Sequence, residues 1–411
     1  MQPEIRNPEH TIRTRSAQYT IADHIIPIEN AHTSGAYPKR PIAVVHGQGV
    51  RVWDAEGREY IDCVAGHGVA SLGHCHPVVT AAIQQQAATL VTCSEVFYND
   101  QRAALLAELT AHTPGDLNRV FLCNSGAEAV EGAIKVARLL TGRTGVVATM
   151  RGFHGRTLGA LSATWNEKYR KPFVPLVPGF SHVPFNNLEA MAGAISDNTA
   201  AVLVEIVQGE GGVRPGDADY FQGLRHLCDE QGALLIADEI QTGLGRTGRW
   251  FACEHVGLVP DLLCLGKALG GGMPMGAVVW REALGTLPSG VHGSTFGGNP
   301  LACAASRAVL RAIAEGDLPA RTTRLGEQFM ADLRTIQSPL VREVRGWGLM
   351  VGVELRQRVT PFLKALMERG VLALPAGPSV LRLLPPLVIE EAELESVVEA
   401  VREVLKKEIG D

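Results

Sequence analysis

The chain has 411 residues, 46% hydrophobic and 20% charged, with a net charge of -5. This is the make-up of a folded protein with room for two or more lobes and a substantial core. The small negative balance, with no basic run and no basic helix interleaved with aromatics, excludes a nucleic-acid surface and favours a small ligand. No stretch has the length and apolarity of a signal peptide or a membrane span, so a cytoplasmic location is expected. The eight cysteines, Cys63, Cys75, Cys93, Cys123, Cys228, Cys253, Cys264 and Cys303, fall in apolar stretches without a CxxC pair. They are expected to be buried and reduced.

In chain order, residues 49–64 alternate apolar and polar around a turn at 54–57, which predicts a β-hairpin. Residues 77–90 read as a helix. From about 119 to 279, apolar runs at 119–123, 145–149, 201–207, 233–238, 262–265 and 276–280 alternate with helical stretches. That alternation predicts an α/β fold, a mostly parallel sheet covered by helices, with its ligand at the carboxyl ends of the strands. A long helix begins near Asn299. Beyond Leu318, a helix, two strands within 341–355, a helix ending near Gly370, a strand at 380–384 and a final amphipathic helix form an α+β lobe. The expected domains are 1–70, an N-terminal segment and hairpin belonging to the small domain; 71–317, a large ligand-binding domain; and 318–411, a C-terminal small domain.

The segment ALLIADEIQ, ending in Asp238, Glu239, Ile240 and Gln241, sets polar groups at the end of a buried strand, where they are costly without partners. An aspartate beside a pyridine nitrogen keeps that nitrogen protonated and makes the ring an electron sink, and Asp238 is the candidate. Taken alone, the segment equally describes an acid capping a turn. It is joined by LLCLGKALGGGMPM, which places Lys267 between an apolar strand and a glycine run. A desolvated lysine amine can lose its proton and attack an aldehyde, although most lysines are solvated surface charges.

NSGAEA at 124–129 opens a helix with small residues, whose exposed N–H groups suit a phosphate; Ser125 with Glu128 also fits an ordinary capping box. HGSTFGGN at 292–299 adds hydroxyls from Ser294 and Thr295. RGFHGRT at 151–157 offers Phe153 to stack on a planar ring and Arg156 to grip a carboxylate. GHCHP at 73–77, with His67 nearby, is poor tetrahedral geometry, and no metal is expected.

Together these segments resemble the class III (ornithine-type) aminotransferases of pyridoxal-phosphate (PLP) fold type I, from about Ala43 to the C-terminal helix. DEIQTGLGRTG, GKALGGGMPMG and STFGGNP occur in the family's order and spacing. The resemblance implies a large domain with a seven-stranded-type sheet and a smaller α+β domain. It implies that Lys267 is the Schiff-base lysine and that Asp238 partners the pyridine nitrogen. Gly126 and Ala127 would bind phosphate, and Phe153 and Ile240 the two ring faces. Gln241 would lie near the ring hydroxyl, supported by Glu205, within the cofactor-facing run that includes Glu239. Thr295 would reach the phosphate of a neighbouring subunit's cofactor, which implies a homodimer with shared sites.

In the family pattern Arg382, in VLRLLPP, matches the arginine that binds the α-carboxylate of glutamate. Glu210, in VEIVQGEGGV, matches the switch that masks it when an ω-amine binds. Arg156 and Ser294 would contact an N-acylated ω-amino acid, with glutamate/2-oxoglutarate as the other partner. REVRGWGLMVGVEL and LALPAGPSVLRLLPPLVIE look closer to the enzymes that aminate aminoadipate semialdehyde on the LysW carrier, in lysine biosynthesis, than to acetylornithine aminotransferases of arginine biosynthesis. A small acidic carrier is thus an expected partner. The pattern departs at Ile206, where relatives usually have proline, and a looser strand end aiming Glu210 is the expected consequence. The rival readings are a PLP decarboxylase or aminomutase on the same fold, against which Arg382 with Glu210 argues, and a non-catalytic PLP-binding module. A nicotinamide dehydrogenase is disfavoured because no GxGxxG directly follows a predicted strand.

Overall fold

The computed structural model describes residues 21–406, so expectations for 1–20 and 407–411 lie outside the described residues. The chain divides into two compact units. One, Met1–His46 with Trp53–Glu59, holds a helix over Ile21–His32 and the tip of the expected hairpin. There Asp54 Oδ1 accepts from the Glu56 and Arg58 N–H groups and closes the turn. The other unit, Gly47–Val52 with Tyr60–Asp411, carries everything discussed below.

Its centre is a seven-stranded sheet: β1 (Leu117–Cys123), β2 (Gly145–Thr149), β3 (Phe180–Val183), β4 (Thr199–Glu205), β5 (Leu234–Asp238), β6 (Leu262–Leu265) and β7 (Gly276–Arg281). The spatial order is β1-β7-β6-β5-β4-β2-β3, with β7 antiparallel to both neighbours and the β6-β5-β4-β2-β3 run parallel. The strands read as unbroken apolar runs because both faces are covered. Val146, Ala148, Leu203, Ile236 and Cys264 pack with helix α1 (Gly126–Thr141), while Val147, Val204, Leu235 and Leu263 point into the opposite core. Truncating such a side chain to alanine costs about 2–5 kcal/mol.

β3 was not expected. It has four residues, includes Ser181 and His182, and lies at the sheet edge, where no continuous apolar run is needed. Asn299 caps α2 (Pro300–Glu315), its side chain accepting from the Ala302 N–H. A second sheet follows α3 (Leu318–Arg334): β8 (Val341–Trp347), β9 (Met350–Leu355), β10 (Leu374–Ala376) and β11 (Val380–Leu383), in the order β8-β9-β11-β10. Helix α4 (Glu391–Lys406) closes the described chain. The glycine-rich TGLGRTG segment is pinned to this region by Arg246. That side chain is almost fully buried and donates to the carbonyls of Leu349 (3.0 Å) and Pro385 (2.5 Å). Burial lowers its pKa to about 10.

All eight cysteines are free, but Cys75 is exposed and Cys93 half-buried, a correction to their expected burial. Cys75 sits at φ 51 in the GHCHP turn, which faces it outward from the apolar stretch around it. The neighbouring His74 has a structural partner, its Nε2 lying 2.8 Å from Asp62 Oδ2. Among the described residues no helix is long and apolar enough to cross a membrane.

Candidate active site

Parallel strands end together, so the segments that follow them converge at one edge of the sheet. Asp238, the last residue of β5, pairs in register with Glu205 at the end of β4 and with Cys264 near the end of β6. One residue past β6, Gly266 brings the chain into contact with the start of α1, where a Cβ on Gly266 would lie 3.1 Å from Gly126 Cα. A Cβ on Gly126 would lie 2.7 Å from Ile240 Cγ2. Two positions without side chains thus let the helix start, the Asp238–Gln241 turn and the lysine turn close on one another. Lys267 follows at φ 43, a conformation that costs a residue with a Cβ roughly 1–2 kcal/mol. Strain of this kind persists where surrounding packing dictates it.

The floor of the site is a buried charge cluster. Asp238 is 4% exposed and its Oδ2 lies 2.8 Å from His154 Nδ1, while its Oδ1 accepts from the Ile240 N–H at 3.1 Å. Burial opposes protonation of His154, but the hydrogen bond and charge of Asp238, with Glu205 adding, outweigh it and raise the pKa. His154 Nε2 is buried without a hydrogen-bond partner. Glu205 accepts from the Phe153 N–H (3.0 Å) and the Gly209 N–H (3.1 Å). Its pKa is raised, by burial first and then by Asp238, against the charge of His154. The Lys267 amine has its pKa lowered, again by burial first and with Arg382 contributing, while Asp238, Glu210 and Glu205 pull the other way. A lysine so placed gives up its proton more readily than one in water.

The mouth is built differently. Arg382, on β11, is 1% exposed and donates through Nη2 to Glu210 Oε1 at 2.6 Å and through Nη1 to Gln241 Oε1 at 3.1 Å. Glu210 is half-buried. Burial would raise its pKa, but the charge and hydrogen bond of Arg382 win and lower it. Gln241 is therefore held by Arg382, while Glu205 holds the backbone on either side. Ile206, fully buried, keeps the strand end in place without proline, its carbonyl accepting from the Gly216 N–H at 3.0 Å. Arg156 is exposed, with its guanidinium 4.1 Å from the Tyr169 ring centre and 5.6 Å from that of Phe153.

The remaining expected residues lie around this core. Ser125 caps α1, its Oγ accepting from the Glu128 N–H, with Gly126 and Ala127 in the first turn at the positive end of the helix dipole. Ser294 Oγ is 3.1 Å from Asn124 Nδ2 and accepts from the Gly297 N–H, so the 294–298 loop abuts that helix start. Thr295 is exposed. Glu239 is committed to its own loop, its carboxylate accepting from the Cys253 N–H at 2.7 Å and from the Thr242 hydroxyl. His154 escaped sequence reasoning, although its place beside Phe153 in RGFHGRT was the available signal.

This donor set fits pyridoxal phosphate: an easily deprotonated lysine for an aldehyde, a buried carboxylate for a ring nitrogen, a helix start for a phosphate and an aromatic side chain for a ring face. The comparisons agree. The chain is 50% identical to the [LysW]-aminoadipate semialdehyde transaminase of Deinococcus radiodurans, over 92% of this chain and 89% of that protein. It is also 50% identical to the acetylornithine aminotransferase of Methanopyrus kandleri, over 90% and 96%. Among solved structures, an ornithine aminotransferase from Toxoplasma gondii, described with partial occupancy of PLP at its active site, matches with a TM-score of 0.90 at 35% identity, covering 94% of each chain. The family model for class-III aminotransferases matches residues 33–405. The chain belongs to the class-III aminotransferases, enzymes of PLP fold type I whose cofactor is pyridoxal 5'-phosphate.

Proposed function

We propose that this aminotransferase moves an amino group between glutamate/2-oxoglutarate and the semialdehyde of an N-acylated amino acid, with LysW-linked aminoadipate semialdehyde as the preferred acceptor. The observation that carries the reading is the 2.6 Å pair between Arg382 and Glu210 above Lys267. A site that accepts both an α-amino acid and an ω-amine needs a cation it can uncover for the first and cover for the second. A buried arginine facing a half-buried glutamate on a loop meets that need. N2-acetylornithine is the second reading, favoured by the equal identity to the Methanopyrus kandleri enzyme.

Pyridoxal phosphate, when bound, supplies an electron sink for negative charge on the substrate carbon. Asp238 would keep its ring nitrogen protonated, and His154 and the Ile240 N–H hold that carboxylate in place. The N–H groups of Gly126 and Ala127 would hold its phosphate. Phe153 and Ile240 would pack against its ring, and Gln241, in the Asp238, Glu239, Ile240, Gln241 run, would serve its hydroxyl. Lys267 would hold the cofactor and is the amine placed to move a proton at the substrate carbon. Glu205 fixes the backbone of Phe153 and Gly209. Arg382 binds the α-carboxylate of glutamate when Glu210 moves aside, and Arg156 with Ser294 contacts the far end of the substrate.

On this reading residues 71–317 are the PLP-binding domain and 318–406 belong to the small domain. A second copy completes the site. Arg102 Nη2, Nη1 and Nε bind the carbonyls of Cys93, Phe97 and Gly298, which sets exposed Val96, Phe97 and Tyr98 beside the loop bearing Thr295 and exposed Phe296. Apolar surface of this kind suits a homodimer in which Thr295 reaches the partner's phosphate. A cytoplasmic setting suits eight free cysteines. The test is a comparison of kcat/KM on N2-acetylornithine and on carrier-linked lysine, with 2-oxoglutarate as acceptor. A preference for the carrier-linked lysine is expected, and equal efficiency sinks it.

A further inference from the structure

Next to the mouth lies a second cavity, of about 670 Å³, that the chemistry above does not use. Arg151, Arg214, Arg334 and Arg345 line it, against the single acidic lining residue Glu343. Two of these arginines have structural duties. Arg345 is buried, binding the carbonyls of Gly212 and Val213 and the carboxylates of Glu343 and Glu354. Arg334 donates to the Val344 carbonyl at 3.2 Å.

The charge least matched by anions falls on the other two, because Arg214 has only a share of Glu354, which also pairs with Arg345 and Arg342. Arg214 shares Glu354 with Arg345, and its Nε is buried with no hydrogen-bond partner. Burial, then repulsion from Arg345 and Arg151, hold its pKa below the ordinary arginine value despite Glu354. Arg151 is exposed, at φ 67, two residues before Phe153. Both also line the mouth cavity of about 570 Å³, together with Phe153, Tyr169 and Glu210. They therefore stand between the two spaces.

We infer that this arginine-lined cavity is a subsite for a carboxylate carried on the acyl extension of the ω-amino substrate, gripped by Arg151 and Arg214. The inference rests on the N-acylated substrate proposed above and names the class of acyl group that the site selects. An acetyl group offers these arginines no charge, whereas a dicarboxylic acyl chain presents an anion that guanidinium groups bind with paired hydrogen bonds. An anion there also relieves the repulsion that Arg345 and Arg151 exert on Arg214.

The experiment uses the full chain loaded with cofactor and 2-oxoglutarate as acceptor. It compares kcat/KM for N2-acetyl, N2-glutaryl and N2-glutaramoyl derivatives of lysine and ornithine. Glutaramoyl has the length of glutaryl but ends in a neutral amide. A charge-assisted contact predicts a preference for glutaryl over glutaramoyl of about 10-fold or more. The R151Q/R214Q variant brings that ratio to about one while the acetyl substrate keeps its rate. Because the ratio is taken within one preparation, loss of folded protein leaves it unchanged, and R151Q alone, at an exposed side chain, lowers it part way. A wild-type ratio near one, or an undiminished ratio in the double variant, overturns the subsite. If the acetyl derivatives turn over and the ratio is one, only the subsite falls. If no acyl derivative turns over, the N-acylated substrate falls and the subsite with it.

Discussion

At the floor of the pocket Asp238 and Glu205 are buried, and each carboxylate has two hydrogen-bond partners, at least one of them backbone. At the mouth Glu210 is half-buried, and among the described residues its side chain pairs with Arg382 alone. The first arrangement fixes a charge; the second leaves it free to trade partners. A buried ion that loses its partner pays a desolvation penalty in full, whereas one at the rim exchanges its partner for water or substrate. On the proposed reading the cofactor end of the site is thus rigid and the substrate end switchable, and the division follows the strand ends on one side and the loop carrying Glu210 on the other.

The sharpest way to break this picture is at the floor. Replacing Lys267 with alanine is expected to abolish turnover, a loss beyond the roughly 10²–10⁴-fold contributed by a positioned acid–base group. It should also remove the visible absorbance of the lysine-bound cofactor. A K267A protein with wild-type aminotransferase activity refutes the central assignment. His154→Ala comes next. It strips Asp238 of a buried partner and should destabilise the protein by about 3–5 kcal/mol, read by denaturant unfolding, with H154Q recovering part of the loss. A cost near zero shows that the floor is not held as described.

The smallest effect belongs to the mouth. In Glu210→Gln the neutral amide masks Arg382 less well. The half-reaction with an ω-amine should slow by about 10-fold, equivalent to about 1.4 kcal/mol, while that with glutamate is spared, since Glu210 is half-buried and the amide still fills its place. Rapid mixing with each amino donor separates the two. The same variant has a pH signature. The folded pKa of Glu210 lies below its ordinary 4.5, so the pair's stabilisation is complete above that value and is lost as pH falls through the lowered folded value. The wild-type advantage over E210Q in thermal midpoint should therefore shrink on acidification below 4.5. An advantage that stays constant with pH removes Glu210 as its source.

Much of this was legible because the segments that bear chemistry are contiguous. The strand preceding Asp238, the lysine turn and the capped helix start each declare themselves within a dozen residues, and the parallel strand pattern brings them together. What stayed hidden depends on distant partners. The arginines of the second cavity run from position 151 to 345 in sequence, and nothing local distinguishes them from surface charges. The exchange of partners at Gln241, held by Arg382 rather than Glu205, comes from a contact across 141 positions. β3 lacked an apolar run because an edge strand does not require one, and Cys75 looks outward because of a backbone turn rather than its neighbours' hydropathy.

Arg246 also bears on how the protein is made. It sits five residues after Gln241, in the glycine-rich segment, and its guanidinium needs the carbonyls of Leu349 and Pro385, 103 and 139 positions further on. A ribosome releases the chain from its amino end, so for that stretch of synthesis the segment following Asp238 carries an unanswered charge. Lys267 emerges well before the groups that settle its neighbourhood. The newborn enzyme gains its finished cofactor pocket only after nearly the whole chain has been delivered, and a messenger truncated ahead of Pro385 yields the lysine without the site.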